Sequence, residues 1–230
     1  MSNEVVNLSD KIQAQLERQA GAIAALRSTG SFITFKNASL KVDGTPIQGN
    51  SVEVRVLAVV GERTWYSGAY DSDVAQVPAC YSLNGSGEPH EQSHDPQSAM
   101  CEDCPKNKWG SAPPRPGATK PSRGKACREG ARVIVIPASL PIKNAPLYQA
   151  KVPVTSLGEV STFVSRCTQA NKLMGEFVTH LSVTDDKKSF FKVHLNIKEL
   201  SSDLDTTVLL QRQEEAYELA LQPYPDIEGD

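Results

Sequence analysis

The sequence predicts a mainly β chain with flanking helices, of the α+β class, and three observations carry that prediction. Apolar and polar residues alternate over several short segments, such as 52–58 and 177–184, which is the period of half-buried strands. Apolar residues recur at helical spacing over 9–28 and 157–174. The middle of the chain shows neither period. Together these patterns indicate a small antiparallel sheet with helices beside it and an irregular insertion within it.

The N-terminal third is predicted to be one helix followed by a meander. Ser9 or Asp10 can cap the helix over 9–28, and Gly30 ends it. Strand signals then follow one another, and Gly and Asp mark the turns between them. The predicted strands are 31–36, 52–58 and 64–70, with turns at Asp43-Gly44 and Gly61-Glu62.

The C-terminal half is predicted to alternate between strands and helices. Strand character resumes at 133–136 and near 148–154, and the helix over 157–174 separates these strands from a hairpin. The remaining predicted elements are the hairpin strands 177–184 and 189–197, a helix over 204–221 and an acidic tail over 222–230.

Several short strands, a late helix and a closing hairpin fit an oligonucleotide-binding (OB)-like antiparallel barrel with a zinc-ordered loop insertion. A β-sandwich fits the same strand count and remains open. We expect a single OB-like domain over 1–230, with the insertion at 78–130. Eleven of the 15 prolines lie between Pro78 and Pro146, and proline removes backbone donors. Ordinary helix or sheet is therefore not expected there.

Four cysteines predict what orders this insertion. Cys101 and Cys104 form a Cys-x-x-Cys knuckle, with Cys80 before it and Cys127 after it. The long loops between them contain almost no apolar residues, and four thiolates on one Zn²⁺ ion would hold such loops in place. His90 or His94 in place of Cys80 remains an alternative. The fifth cysteine, Cys167, lies on the apolar stripe of the second helix and is expected to pack in the core.

Charge is distributed unevenly, although the formal net charge is only −3. Residues 101–132 contain eight basic and three acidic side chains, a balance of +5, whereas residues 200–230 contain one basic and eight acidic side chains, a balance of −7. A basic module followed by an acidic tail is common in proteins that bind a polyanion. Chance clustering of charges on two solvated faces is the alternative.

Aromatic rings accompany the cations, and this pairing predicts a surface for single-stranded nucleic acid. Trp109 stands among lysines in the insertion, and an aromatic strand carries Trp65. For most of these rings, burial in the core is the competing interpretation. The candidate nucleic-acid-binding residues are Lys36, Arg63, Trp65, Tyr66, Tyr70, Lys106, Lys108, Trp109, Arg115, Lys120, Arg123, Lys125 and Arg128.

Other classes of protein find little support in the sequence. No phosphate-binding Gly-rich loop, HExxH or GxSxG motif is present, so we expect no enzyme. His180 and His194 lie in predicted strands and are expected to be structural. No apolar run is long enough to span a membrane, and no secretion signal opens the chain. A soluble protein of the cytoplasm is the expectation.

The segment CEDCPKNKWGS (101–111), with GKACR (124–128) and the apolar run 132–136, resembles a pattern in bacteriophage single-stranded DNA-binding proteins that carry a zinc-binding insertion. The resemblance is specific over about 35 residues. It implies an OB-type barrel, bound zinc with Cys101, Cys104 and Cys127 as ligands and Cys80 as the fourth, and a role in phage replication or recombination in a bacterial cytoplasm. The preference for DNA over RNA rests on this resemblance alone.

The expected function is therefore to coat single-stranded DNA with little sequence preference. The resemblance also implies replication or recombination proteins as partners of the acidic tail, and a homo-oligomer is a further expectation. The alternative is a zinc-containing interaction factor that docks on host replication or transcription machinery.

Overall fold

The computed structural model describes residues 31–36, 38–68, 76–114, 120–201 and 204–224. The predicted helix over 9–28 and the end of the acidic tail lie outside them. The strands of the described residues are β1 Ser31–Lys36, β2 Ser39–Val42, β3 Thr45–Pro46, β4 Ser51–Trp65, β5 Cys80–Leu83, β6 Arg128–Pro137, β7 Tyr148–Pro153, β8 Phe177–Asp186 and β9 Phe190–Leu200. They form one sheet in the order β3-β2-β1-β7-β6-β4-β8-β9, with β5 paired to β4 beside this path.

Two helices accompany the sheet, α1 over Leu157–Gln169 and α2 over Thr206–Leu221. Asp205 caps α2, since its carboxylate accepts hydrogen bonds from the backbone N–H groups of Thr207 and Val208. The mainly β, α+β prediction is confirmed. No helix among the described residues is long and apolar enough to cross a membrane.

The sheet is a curled half-barrel. Strand β4 pairs with β8 near its start and with β6 over most of its length, and the register shifts between Val56 and Ala58. A second shift lies between Val178 and Thr179. Such bulges increase local twist and curl a sheet. Within the described residues no pairing joins β9 to β3, so the sheet remains open.

Apolar side chains fill both faces of the sheet. On one face, α1 contributes Val160, Phe163 and Cys167 to a cluster with β-branched residues of β4, β6 and β8. On the other face, α2 contributes Leu209, Ala216 and Ala220 to a second cluster. Cys167 is 1% exposed in the first cluster, which confirms its predicted place in the core.

The predicted turn at Gly61-Glu62 is wrong. Residues 51–65 form one continuous strand of 15 residues. Gly61 pairs with Ala131 and Glu62 with Gly130, so β6 continues across the position where the sequence suggested a break. The pairing of a long neighbouring strand overrides the local preference of glycine for turns.

The predicted exclusion of sheet from 78–130 also needs correction. The segment begins with strand β5, which pairs with the end of β4, and it ends in β6, which pairs with the same stretch of β4. Between these strands, the described residues 84–114 and 120–127 are irregular apart from one short 3-10 turn, Pro105–Asn107.

Gly175, in the 3-10 turn Met174–Glu176 before β8, packs closely against Leu209 of α2 and Leu57 of β4. A Cβ atom there would lie 2.5 Å from Leu209 Cδ1 and 3.0 Å from Leu57 Cδ2, and both leucines are buried. We expect Gly175→Ala to lower the free energy of unfolding by about 1–3 kcal/mol, because both leucines must shift. Urea denaturation measures this loss. Gly158→Ala is the matched control, since a Cβ atom there meets nothing within 4 Å, and an equal loss in both variants would contradict the packing argument.

Candidate functional site: the cysteine pocket and its cation–aromatic surface

The four cysteines of the insertion line one small pocket at the end of β4 and β5. Cys101 and Cys104 are buried, and Cys80 and Cys127 are half-buried. The pocket is also lined by Arg63, Trp65, Lys106 and Asn107. All four thiols are free of disulfides. Chain segments separated by up to 47 positions, from Cys80 to Cys127, thus meet at one place.

The thiols influence one another electrostatically. Burial, followed by the neighbouring Cys104, Cys101 and Cys80, raises the pKa of Cys127 to about 11. Burial is also the main cause that raises the pKa of Cys80, with Cys101 and Cys104 adding to it. Such thiols hold their protons unless a cation stabilises the thiolates.

The donor chemistry of this pocket fits zinc, which prefers thiolate sulfur in closed structural sites. Among the described residues no group of three or more His, Cys, Asp or Glu side chains is placed to hold a metal ion.

The structure separates His90 from this pocket. Its ring stacks on Tyr81, with 4.8 Å between the ring centroids, and its Nδ1 lies 3.0 Å from the Tyr81 hydroxyl. The Gln92 backbone N–H donates to the same nitrogen. Neither His90 nor His94 lines the cysteine pocket, whereas Cys80 does.

Hydrogen bonds within the insertion hold the knuckle to its surroundings. Cys127 N–H donates to Lys106 O at 2.8 Å, and Asn107 N–H donates to Cys104 O at 3.0 Å. The Ser111 hydroxyl lies within hydrogen-bonding distance of Lys106 O and Lys108 O, and it accepts from Ala126 N–H at 2.9 Å. Neither Asn107 nor Ser111 was assigned a role from the sequence, because their hydrogen-bond partners are set by the fold of the loop and not by a local sequence pattern.

Two cation–aromatic pairs lie in this part of the chain, and together with Arg63 we name them the Trp65–Trp109 surface. Lys106 Nζ lies 4.9 Å from the Trp65 ring centroid, and Lys125 Nζ lies 5.4 Å from that of Trp109. The Glu129 carboxylate lies 3.4 Å from Lys125 Nζ and 3.8 Å from Nε of Arg63, which lines the pocket with Trp65 and Lys106.

Trp109 is 80% exposed. The competing interpretation of this residue, a buried anchor for the knuckle, is therefore wrong. Gly110, which follows it in the same turn, has φ +86°. Lys108 is exposed beside it and donates to Glu102 O.

Most of the other candidate nucleic-acid-binding residues are exposed or lie outside the described residues. Lys120, Arg123 and Arg128 are exposed, and Arg128 begins β6 opposite Thr64. Lys36 ends β1, and its side chain lies outside the described part. Tyr70 and Arg115 also lie outside the described residues.

Tyr66 belongs to a different cluster, which the sequence did not reveal. Glu62 is 3% exposed, and its carboxylate accepts from Arg132 Nε at 3.1 Å and from the Tyr224 hydroxyl at 2.8 Å. Glu62 Oε1 has no hydrogen bond of good geometry, but the Lys151 ammonium lies 3.0 Å from it. Lys151 also reaches the hydroxyls of Tyr224 and Tyr66, at 3.0 and 3.5 Å.

The charges of this cluster shift the pKa values of its members. Burial alone would raise the pKa of Glu62, but Lys151, Arg132 and Tyr224 together hold it below its usual value. Burial and the nearby Glu62 carboxylate raise the pKa of Tyr224 to about 12, although Lys151 opposes them. Burial would lower the pKa of Lys151, but Tyr224 and Glu62 raise it. Arg132 also donates to Ala220 O and Gln222 O at the end of α2, so the cluster fastens the C-terminal helix to the sheet.

Comparisons with protein-family models, with curated proteins and with solved structures find no match for this chain.

Proposed function

We propose that this protein binds single-stranded DNA through the Trp65–Trp109 surface. The exposure of Trp109 supports this proposal most directly, because a large apolar ring held in water beside a lysine has little to contribute to the core. A base stacked on such a ring contributes about 1–3 kcal/mol, and every base offers a face for stacking. Little sequence preference is therefore expected.

The basic side chains around the rings are proposed to bind the phosphates of the strand. Lys106, Lys108 and Lys125 lie in the insertion, and Arg63 reaches the pocket from β4. Cations beside stacked bases meet the phosphates of an extended strand. Glu129 partly offsets them, since it lies within 4 Å of both Arg63 and Lys125.

A zinc ion held by Cys80, Cys101, Cys104 and Cys127 forms part of the proposal. It would replace the four thiol protons with one dication and draw the loop ends together. The role is structural, since four protein ligands leave no open position for a substrate. The protein is proposed not to be an enzyme.

The biological setting is proposed from the sequence resemblance. It comprises phage replication or recombination in the cytoplasm of a bacterial host, DNA rather than RNA as ligand, contacts of the acidic tail with replication or recombination proteins, and self-association into a homo-oligomer.

Trp109→Ala tests the proposal. We expect it to weaken binding of a fluorescent oligo-dT by about 5- to 100-fold, which corresponds to the loss of one stacked base. The free energy of unfolding should change by less than about 0.5 kcal/mol, because surface substitutions rarely exceed that. Fluorescence anisotropy and urea denaturation measure the two quantities.

Salt dependence provides the control for this test. For the wild-type protein, the logarithm of the binding constant should fall with the logarithm of salt concentration by about 0.7 per phosphate neutralised. Trp109→Ala should leave this slope unchanged, since it removes a ring and no charge. Equal affinity for oligo-dT and for a duplex would contradict the proposed function.

The exposure of Trp109 also supports the second candidate, an interaction factor for host replication or transcription machinery, because tryptophan is enriched at the centres of protein interfaces. A pull-down from host lysate, with Trp109→Ala as control, separates the two. A polymerase complex that depends on Trp109, without affinity for oligo-dT, would favour this candidate.

A further inference from the structure

Asn107 connects the cysteine knuckle with the cation beside Trp109. Its Nδ2 donates to Cys101 O at 2.9 Å, and its Oδ1 accepts from Lys125 Nζ at 3.0 Å. The amide nitrogen thus bonds to the backbone of the knuckle, and the amide oxygen bonds to a lysine 18 positions later in the chain. A half-buried amide with both ends engaged has a fixed orientation.

Lys125 has a competing partner. The carboxylate of Glu129, four positions later in the chain, lies 3.4 Å from its ammonium, and the Trp109 ring centroid lies 5.4 Å from it. An ammonium with an exposed ion-pair partner and no other acceptor divides its time among several rotamers. The Asn107 carbonyl adds a neutral acceptor that keeps the ammonium near the ring.

We propose that Asn107 is the positioning residue that holds Lys125 over Trp109, and that it thereby fixes the cation–aromatic unit to the cysteine knuckle. The inference deepens the proposed function and rests on it where DNA is concerned. The placement of Lys125 is a property of the free protein, however, and it is measured without nucleic acid. Asn107 contacts no ligand in this proposal; it acts through Lys125.

The experiment uses full-length protein with Trp65→Phe as background. The chain has two tryptophans, so this background leaves Trp109 as the single fluorophore. Iodide is attracted to a nearby cation and acrylamide is not, so the ratio of their quenching constants reports the local positive charge. We expect Asn107→Ala and Lys125→Ala to lower this ratio by similar amounts, and the double variant to lower it no further than Lys125→Ala alone.

Asn196→Ala is the matched control, because Asn196 is an exposed asparagine of the edge strand β9. It should leave the ratio unchanged. A second variant, Glu129→Gln, removes the competing carboxylate and should raise the ratio, and in the Asn107→Ala protein it should restore part of the loss. An Asn107→Ala ratio equal to that of the background protein would overturn the inference, and so would a further fall in the double variant.

Oligo-dT binding then separates this inference from the proposed function. Asn107→Ala should weaken binding about five-fold, the effect of one lost hydrogen bond, and should have no effect in the Lys125→Ala protein. If the wild-type protein binds no oligo-dT, the proposed function fails while the quenching result still decides the role of Asn107. If the wild-type protein binds and Asn107→Ala binds equally well, the inference fails and the proposed function stands.

Discussion

Glu62→Ala is expected to lower the free energy of unfolding by about 3–5 kcal/mol, because it leaves the buried Arg132 guanidinium without its carboxylate. Arg132 is 3% exposed, so water cannot replace the lost partner. The Tyr224 hydroxyl and the Lys151 ammonium lose the same acceptor. Denaturant unfolding followed by circular dichroism measures the change.

Glu53→Ala is the control for this result. Glu53 also pairs with a lysine, Lys198, at 2.6 Å, but both side chains are about half exposed. Exposed pairs contribute about 0–1 kcal/mol. If the two variants lost similar amounts of unfolding free energy, the burial of Glu62 would add nothing to the strength of its ion pair.

The effect of Glu62→Ala should also depend on pH. The pKa of Glu62 is lowered in the folded protein, so its contribution to stability is fully present above the unfolded value of about 4.3. It is lost as the pH falls through the lower folded value. The difference between wild-type and variant stability should therefore shrink in acid, and a constant difference would contradict the assigned pKa direction.

Cys104→Ser is expected to abolish zinc binding and to unfold the insertion. Cys104 is a buried residue of the pocket and the second member of the knuckle. Structural zinc contributes about 10–16 kcal/mol of binding free energy in small zinc-binding peptides. Removing one of four thiolates should therefore remove most of the zinc and expose 84–127 to proteases. Elemental analysis of zinc per chain and limited proteolysis measure the two effects.

Cys167→Ser is the matched control for the zinc prediction. Cys167 is also buried, but it lies on α1 in the first core cluster, away from the pocket. It should retain full zinc content and lose only about 1–3 kcal/mol of stability, from burying a hydroxyl. Wild-type protein that is purified without metal, and whose proteolysis does not respond to a chelator, would refute the zinc assignment.

Local patterns predicted the local structure well. Alternation over 177–184 and 189–197 predicted the hairpin that forms β8 and β9, and helical spacing over 157–174 predicted α1. At Gly61 the same reasoning failed, because a glycine beside a charged residue favours a turn only where no neighbouring strand extends past it. Pairing with Ala131 of β6 decides that position, and no local pattern contains that information.

In the candidate site, too, the sequence predicted some groupings of residues and missed others. Composition indicated that Cys80, Cys101, Cys104 and Cys127 belong together, since little else in the loop can order it. The Glu62–Arg132 pair was not foreseen, because its members are 70 positions apart and each resembles an ordinary surface residue of an alternating strand. The two partners of the Asn107 side chain, Cys101 O and Lys125 Nζ, were likewise not predicted, because only the fold places Lys125 beside it.

The attachment of the insertion has a consequence for how this chain can change over evolutionary time. Both ends of 84–127 leave from strands that flank Thr64, since Tyr81 of β5 and Arg128 of β6 pair with it from opposite sides. The entropy of closing such a loop grows slowly, by about 0.6 kcal/mol for each doubling of its length. Related chains can therefore gain or lose segments between the cysteines while the scaffold beneath keeps its shape, and length variation should concentrate there.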